Sequence, residues 1–325
     1  MLEQFEGLIK KRIVLITGKG GVGRSSVTAA IALAAARAGK RVLVAEIGDQ
    51  RDGERRVHDY SPLARLFGLD HLPENKAEMM PGVWGSMLLP LKGHELFLAS
   101  VFRVGALAKA ALHSEALRRL FQAAPSLREV GIFYCLLTYL RQKHPDGTPS
   151  NELIIVDMPA TGHTLALTGL PKILLSMVSR GPIADALREG QTYLNDPEQA
   201  SAYVVTLPET LPVSETIELL EGLKTSNMPV GGVILNHVAL DPFTPEERLA
   251  LERVFAKARA SGAPLLGEES FHYFEEARRE SERLAREISV PLLRLPDAPP
   301  GCESLVSYLA DALLSSAAVR AGVTK

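Results

Sequence analysis

Residues 13–38 hold the strongest constraint on what this chain can fold into. Ile13–Thr17 is a short continuous apolar run, the pattern of a strand covered on both faces. Gly18-Lys19-Gly20-Gly21-Val22-Gly23 follows, and Arg24-Ser25-Ser26 opens an Ala-rich helical stretch that stops at Gly39. A strand, a glycine loop and a helix start, in that order, make a phosphate cradle. Glycines let the backbone turn tightly and aim several N–H groups at one point, and the helix N-terminus adds a positive field there. The pattern G-x-x-x-x-G-K-[ST] is met except that Arg24 stands where lysine is expected. Arginine is a permanent cation that forks onto phosphate oxygens, but it cannot copy the geometry of an ammonium group. Binding is therefore expected to survive and hydrolysis to slow. Gly20, Gly21, Val22 and Gly23 belong to the cradle, Ser25 sits where its hydroxyl would ligate Mg2+, and Ser26 can reach a phosphate oxygen. The competing reading is a glycine-rich turn with no ligand.

Similar apolar runs recur at 41–46, 153–157, 202–206, 231–236 and 291–295, with a weaker one at 83–89. Helical patterns fill the intervals at 214–224, 245–260 and 271–288. The last is dense in Glu and Arg at three- and four-residue spacing, as a solvated outer helix would be. Strands alternating with helices imply βαβ units. The expected fold is α/β: a mostly parallel P-loop NTPase sheet with helices on both faces. A single domain spans 1–325, with an inserted helical subdomain at about 92–145 and 165–200. Its apolar stripes, Phe97/Val101/Val104/Ala108 and Leu127/Val130/Phe133/Leu137/Leu140, read as core.

Composition narrows the partners. The net charge of −2 gives no global pull toward nucleic acid. Cys135 and Cys302 form no CxxC unit, which argues against a local zinc knuckle and against a disulfide framework. The N-terminus, MLEQFEGLIKK, is too polar for a signal peptide. The most apolar helical stretch, Val27–Ala36, falls well short of the roughly twenty residues a membrane span needs. The expectation is a cytoplasmic protein with no integral membrane segment, peripheral contact staying open.

Lys19-Gly20-Gly21-Val22-Gly23 resembles the deviant Walker A signature. That signature marks the family of the nitrogenase iron protein, the MinD and ParA ATPases, and the arsenite-pump ATPase ArsA with its tail-anchored-protein-targeting relatives. The resemblance implies that Lys19 reaches across a dimer interface to the partner's nucleotide. Asp157-Met158-Pro159-Ala160-Thr161-Gly162-His163-Thr164 looks like the switch II of ArsA and the targeting ATPases, D-T-A-P-T-G-H-T, with Met158 and the order Pro159-Ala160 departing from it. By that resemblance Asp157 holds Mg2+ through water and Gly162 lets the loop sense the γ-phosphate. Val204–Leu211, followed by Glu215-Thr216, is similar to the family's V-x-x-P-E-x-L segment. Ile234-Leu235-Asn236 is similar to the strand end whose Asn reads adenine; a strand-ending turn residue is the other reading of Asn236. The resemblance implies ATP/ADP and Mg2+ as cofactors, ATPase activity, and a homodimer or a heterodimer with a related ATPase. A hydrophobic client or membrane-associated partner goes with it, since the inserted helical region resembles the one that forms an apolar client groove in the targeting relatives; plain core is the other reading of its stripes.

The sequence also departs from that family. Where the family places D-P-A-H after the second strand, to position attacking water, this chain reads Glu46-Ile47-Gly48-Asp49-Gln50. Asp49 or Glu46 is left to do that work. The zinc-clamping CxxC is missing, and two distant cysteines do not make the soft-ligand cluster that arsenite needs. Two other functions compete with a dimeric ATPase. One is a nucleotide-gated scaffold with little turnover, or half of a heterodimer, which Arg24 and the missing D-P-A-H favour. The other is a ParA- or MinD-type positioning ATPase, against which the short C-terminal tail counts, with Arg320 and Lys325 as its cations.

Overall fold

The apolar runs pair side by side. The computed structural model describes residues 2–48, 61–101, 125–159, 175, 180–263 and 265–315. Its strands are β1 (Ile13–Gly18), β2 (Val42–Ile47), β3 (Ala77–Met80), β4 (Val83–Leu88), β5 (Leu153–Asp157), β6 (Ala200–Thr206), β7 (Val230–Val238) and β8 (Leu292–Pro296). They form one sheet in the order β3-β4-β2-β5-β1-β6-β7-β8. Among the described strand pairings of this sheet, only β3–β4 is antiparallel. β1, β5 and β6 are buried at every position, which is why they read as unbroken apolar runs.

Strand register sets up the site. Ile16 of β1 is level with Asp157 of β5, and Asp157 is level with Glu46 of β2. Level residues on neighbouring parallel strands point to the same face and lie about 4.8 Å apart. Two carboxylates therefore stand side by side at the C-terminal edge of the sheet, next to the strand that feeds the glycine loop.

The described helices are α1 (Leu2–Ile9), α2 (Arg24–Arg37), α3 (Pro62–Leu66), α4 (Pro90–Val101), α5 (Pro125–Arg141), α6 (Pro182–Leu194), α7 (Thr210–Thr225), α8 (Pro245–Ala260), α9 (Glu268–Glu287) and α10 (Leu305–Leu314). They cover both faces of the sheet. On one face Val27 and Ile31 of α2 pack with Val14, Val44 and Ile155 and with Leu309 and Leu313 of α10. On the other, Leu136 and Leu140 of α5 and Leu219 and Leu223 of α7 cover Leu15, Leu43 and Val156. The small alanines of α2 admit close neighbours. Eight of its residues, Val27 through Ala32 with Ala34 and Ala35, are buried.

The expected strands, the helix after the glycine loop and the helices at 214–224, 245–260 and 271–288 are present, with ends moved by a few residues. Four further elements, α1, α3, α10 and β3, go beyond the sequence pattern. Ile132 to Leu137 on α5 are all buried, so Phe133, Leu137 and Leu140 are core residues here. The rings of Phe97 on α4 and Tyr134 on α5 meet edge to face, with centroids 5.4 Å apart. Much of the expected helical insertion, Val104 and Ala108 included, lies outside the described residues. Among the described residues, no helix is long and apolar enough to cross a membrane.

Candidate functional site

The glycine loop is pinned on two sides. Gly18 ends β1 at a φ of 147°, and a side chain there would run into the Val205 carbonyl of β6. Only glycine leaves the strand at this angle this close to its neighbour. Gly23, the residue before α2, has a φ of 86°, and a Cβ on it would collide with the Asn236 side chain. Asn236 is 2% exposed, and its amide donates to the Val22 carbonyl at 3.0 Å. In this state its amide nitrogen holds the loop. Gly20 and Gly21 face solvent, Val22 is buried, and Ser26 lies partly exposed in the first turn of α2.

Two consecutive residues of α2 bind two consecutive residues at the end of β5. The Ser25 hydroxyl donates to Asp157 Oδ2 at 2.6 Å, and the Arg24 guanidinium donates to the Met158 carbonyl. Burial pushes the Asp157 carboxyl up to about 6, while the Ser25 hydrogen bond and the Arg24 charge pull the other way. Glu46 is pushed up to about 7, first by burial; the Ser61 hydroxyl opposes this, the Asp157 charge adds to it, and Arg24 opposes it. Burial also lowers the proton affinity of Arg24, against the pull of both carboxylates. One cation thus serves two acids, Asp157 buried and Glu46 half-buried. Ser61 also caps α3, accepting from the Ala64 N–H at 2.9 Å while donating to Glu46.

Asp157 Oδ1 is buried and completes no hydrogen bond among the described residues; the Thr28 hydroxyl, also buried without a completed bond, acts on the same carboxyl. A buried carboxylate oxygen left over beside a serine hydroxyl fits a divalent cation. Mg2+ takes hard oxygen ligands, commonly one or two from protein with several waters retained. Ser25 and Asp157, predicted as the metal pair, are thus brought together.

Lys19 folds back onto its own chain. Its ammonium pairs with Glu215 Oε1 on α7, with side-chain exposures of 50% and 21%. The structure so gives the expected trans lysine a partner within the same chain. Glu215 stood in the sequence only as part of a family segment, with no role of its own. Ser61 carried a readable signal, a serine before a proline at a helix start. The Met158 carbonyl, being backbone, carried none. Asp49, Thr161, Gly162, His163 and Thr164 lie outside the described residues.

A family model described as the CobQ/CobB/MinD/ParA nucleotide binding domain matches residues 13–284. The chain is similar to the ATPase BagA of Mycobacterium tuberculosis, 30% identical over 230 residues, which are 69% of this chain and 64% of that protein. It is similar also to a putative arsenical pump-driving ATPase 2 of Aquifex aeolicus, 25% identical over 299 residues, 81% of this chain and 89% of that one. An arsenical pump-driving ATPase of Escherichia coli is 25% identical over 233 residues, 69% of this chain and 34% of that protein. The chain thus spans a little under two thirds of the mycobacterial relative and about a third of the Escherichia coli one. With the loop, the register and these likenesses in agreement, the chain belongs to the MinD/ParA-type P-loop nucleotide-binding family, on its ArsA-like side.

Proposed function

We propose that this chain binds Mg-ATP on the loop 18–26 and hydrolyses it, working as a dimer with a second copy or a related subunit. The Ser25–Asp157 hydrogen bond of 2.6 Å carries this reading, because it joins the loop's helix to the end of β5 through two groups able to hold the cation. Backbone N–H groups of Gly20 to Gly23 and the start of α2 receive the phosphates. Lys19 and Arg24 add positive charge where charge builds on the transferred phosphoryl group, and Mg2+, when bound, neutralises phosphate charge. Glu46 or Asp49 orients the attacking water. Nucleotide state acts on the segment after Asp157, and through it on the helical region. The relatives named as ATPases support hydrolysis. Cys135 is buried and Cys302 stands elsewhere, so a soft metalloid cargo is not part of this reading.

A second reading has its own observation. The Arg24 guanidinium is already engaged with the Met158 carbonyl, which suits a chain that binds ATP and changes shape with little turnover. Mg-ATP turnover by the purified chain, its Arg24→Lys and Asp157→Asn variants, with ATP binding measured in parallel, decides between the two. Slow turnover in the parent, faster in Arg24→Lys and reduced about a hundredfold in Asp157→Asn with binding retained, is the expected result. A parent that binds ATP without turning it over replaces the ATPase with the scaffold.

A further inference from the structure

The lysine that marks this family's loop is not free in this chain, and the way it is held follows from the sheet. Gly18 leaves β1 pressed against Val205 of β6, so the next residue, Lys19, emerges on the β6 side. β6 runs on into α7, which places the first turns of that helix beside the loop. The rotation of α7 is fixed by five buried residues, Val213, Thr216, Leu219, Leu220 and Leu223. It is fixed again from outside, where Arg283 of α9 donates to Ser214 at 3.1 Å. Glu215, between Ser214 and Thr216, is carried on that fixed face to meet Lys19.

The two partners are unequal. Glu215 is largely covered, and its Oε2 is buried without a hydrogen-bond partner among the described residues. A carboxylate held that way needs a cation beside it. The ammonium is half exposed, so solvent screens the pair and a phosphate chain can reach it. A nucleoside triphosphate brings more negative charge to the loop than one carboxylate does, and the N-terminus of α2 favours it further.

We infer that Glu215 is the positioning residue for Lys19: it parks the lysine on α7 in the absence of a triphosphate and yields it to phosphate oxygens when one binds. This rests on the reading of loop 18–26 as an ATP site. Glu215 then sets how much an incoming nucleotide must offer before Lys19 moves, and it favours the triphosphate over the diphosphate.

The test is a double-mutant cycle of Glu215→Gln and Lys19→Gln, read as affinity for a fluorescent ATP analogue and for its diphosphate counterpart. Thermal unfolding of each variant confirms that it is folded. Glu215→Gln should tighten triphosphate binding about two- to fivefold, the range of a screened ion pair. The gain should be smaller for the diphosphate, vanish in the Lys19→Gln background, shrink with added salt, and be partly reversed in Glu215→Asp. An unchanged affinity in Glu215→Gln, or an equal gain when Lys19 is absent, overturns the role of Glu215 and leaves the ATP site standing. A parent chain that binds neither nucleotide overturns both.

Discussion

Cutting Asn236 back to alanine separates two roles that this residue could perform. By family resemblance it reads the adenine ring, whereas in the structure its amide holds the glycine loop from behind. The side chain is 2% exposed, donates to the Val22 carbonyl at 3.0 Å, and fills the space against Gly23. Asn236→Ala leaves a buried carbonyl without its donor, at a cost of about 1–3 kcal/mol. The missing atoms leave a small void beside Gly23, so a total near 2–3 kcal/mol is expected. At about 2–4 °C for each kcal/mol in a large domain, the melting midpoint should fall by about 4–12 °C. A looser loop presents its N–H groups less well ordered, so ATP and GTP should weaken together, by about three- to tenfold. Differential scanning fluorimetry with parallel ATP and GTP titrations reads both quantities. A variant that melts with the parent and loses ATP while keeping GTP would refute the clamp and restore the base-reading role.

Glu46→Gln should flatten the dependence of stability on pH. A carboxyl whose proton affinity is higher in the folded state than in the unfolded chain makes folding most favourable below its ordinary value near 4.5, and that advantage is lost as pH rises through about 7. At about 1.4 kcal/mol for each decade of proton affinity, the loss has a ceiling of about 3.5 kcal/mol. The nucleotide-free variant should therefore be more stable than the parent at pH 8 and little different at pH 5, keeping only the slope that Asp157 contributes on its way to about 6. Denaturant unfolding at stepped pH measures this, and a parent whose stability is level between pH 5 and 8 removes the basis for it. Gly18→Ala puts a Cβ into the Val205 carbonyl at a φ of 147° and should cost about 2 kcal/mol or more together with nucleotide binding. Gly20→Ala, with open space at that position, should cost less than about 0.5 kcal/mol; equal losses at the two positions would contradict the packing described for Gly18.

What the sequence made legible, and what it did not, divides along a physical line. The cradle was readable because strand, glycines and helix are contiguous, and local steric rules act on contiguous residues. Asp157 was readable because it closes a buried apolar run. β3 was not, since Ala77–Met80 is a short edge strand with two exposed and two half-buried positions and so shows no apolar run. The partners of the site's side chains were hidden for a different reason. Ser25 meets Asp157 across 132 residues, Lys19 meets Glu215 across 196, and Asn236 meets Val22 across 214. Each meeting is dictated by strand order: β1 lies between β5 and β6, and β7 follows β6. A resemblance carries over the role of a residue type at a motif position, but not which neighbour this chain's own sheet places against it. Glu46 shows the difference most clearly. Its sequence context matched no motif, and only the level pairing of β2 with β5 put it beside Asp157, within the field of Arg24. The arginine that departs from the loop pattern and the glutamate that departs from the strand-two pattern therefore stand in one charged cluster, and a change at either is felt by the other.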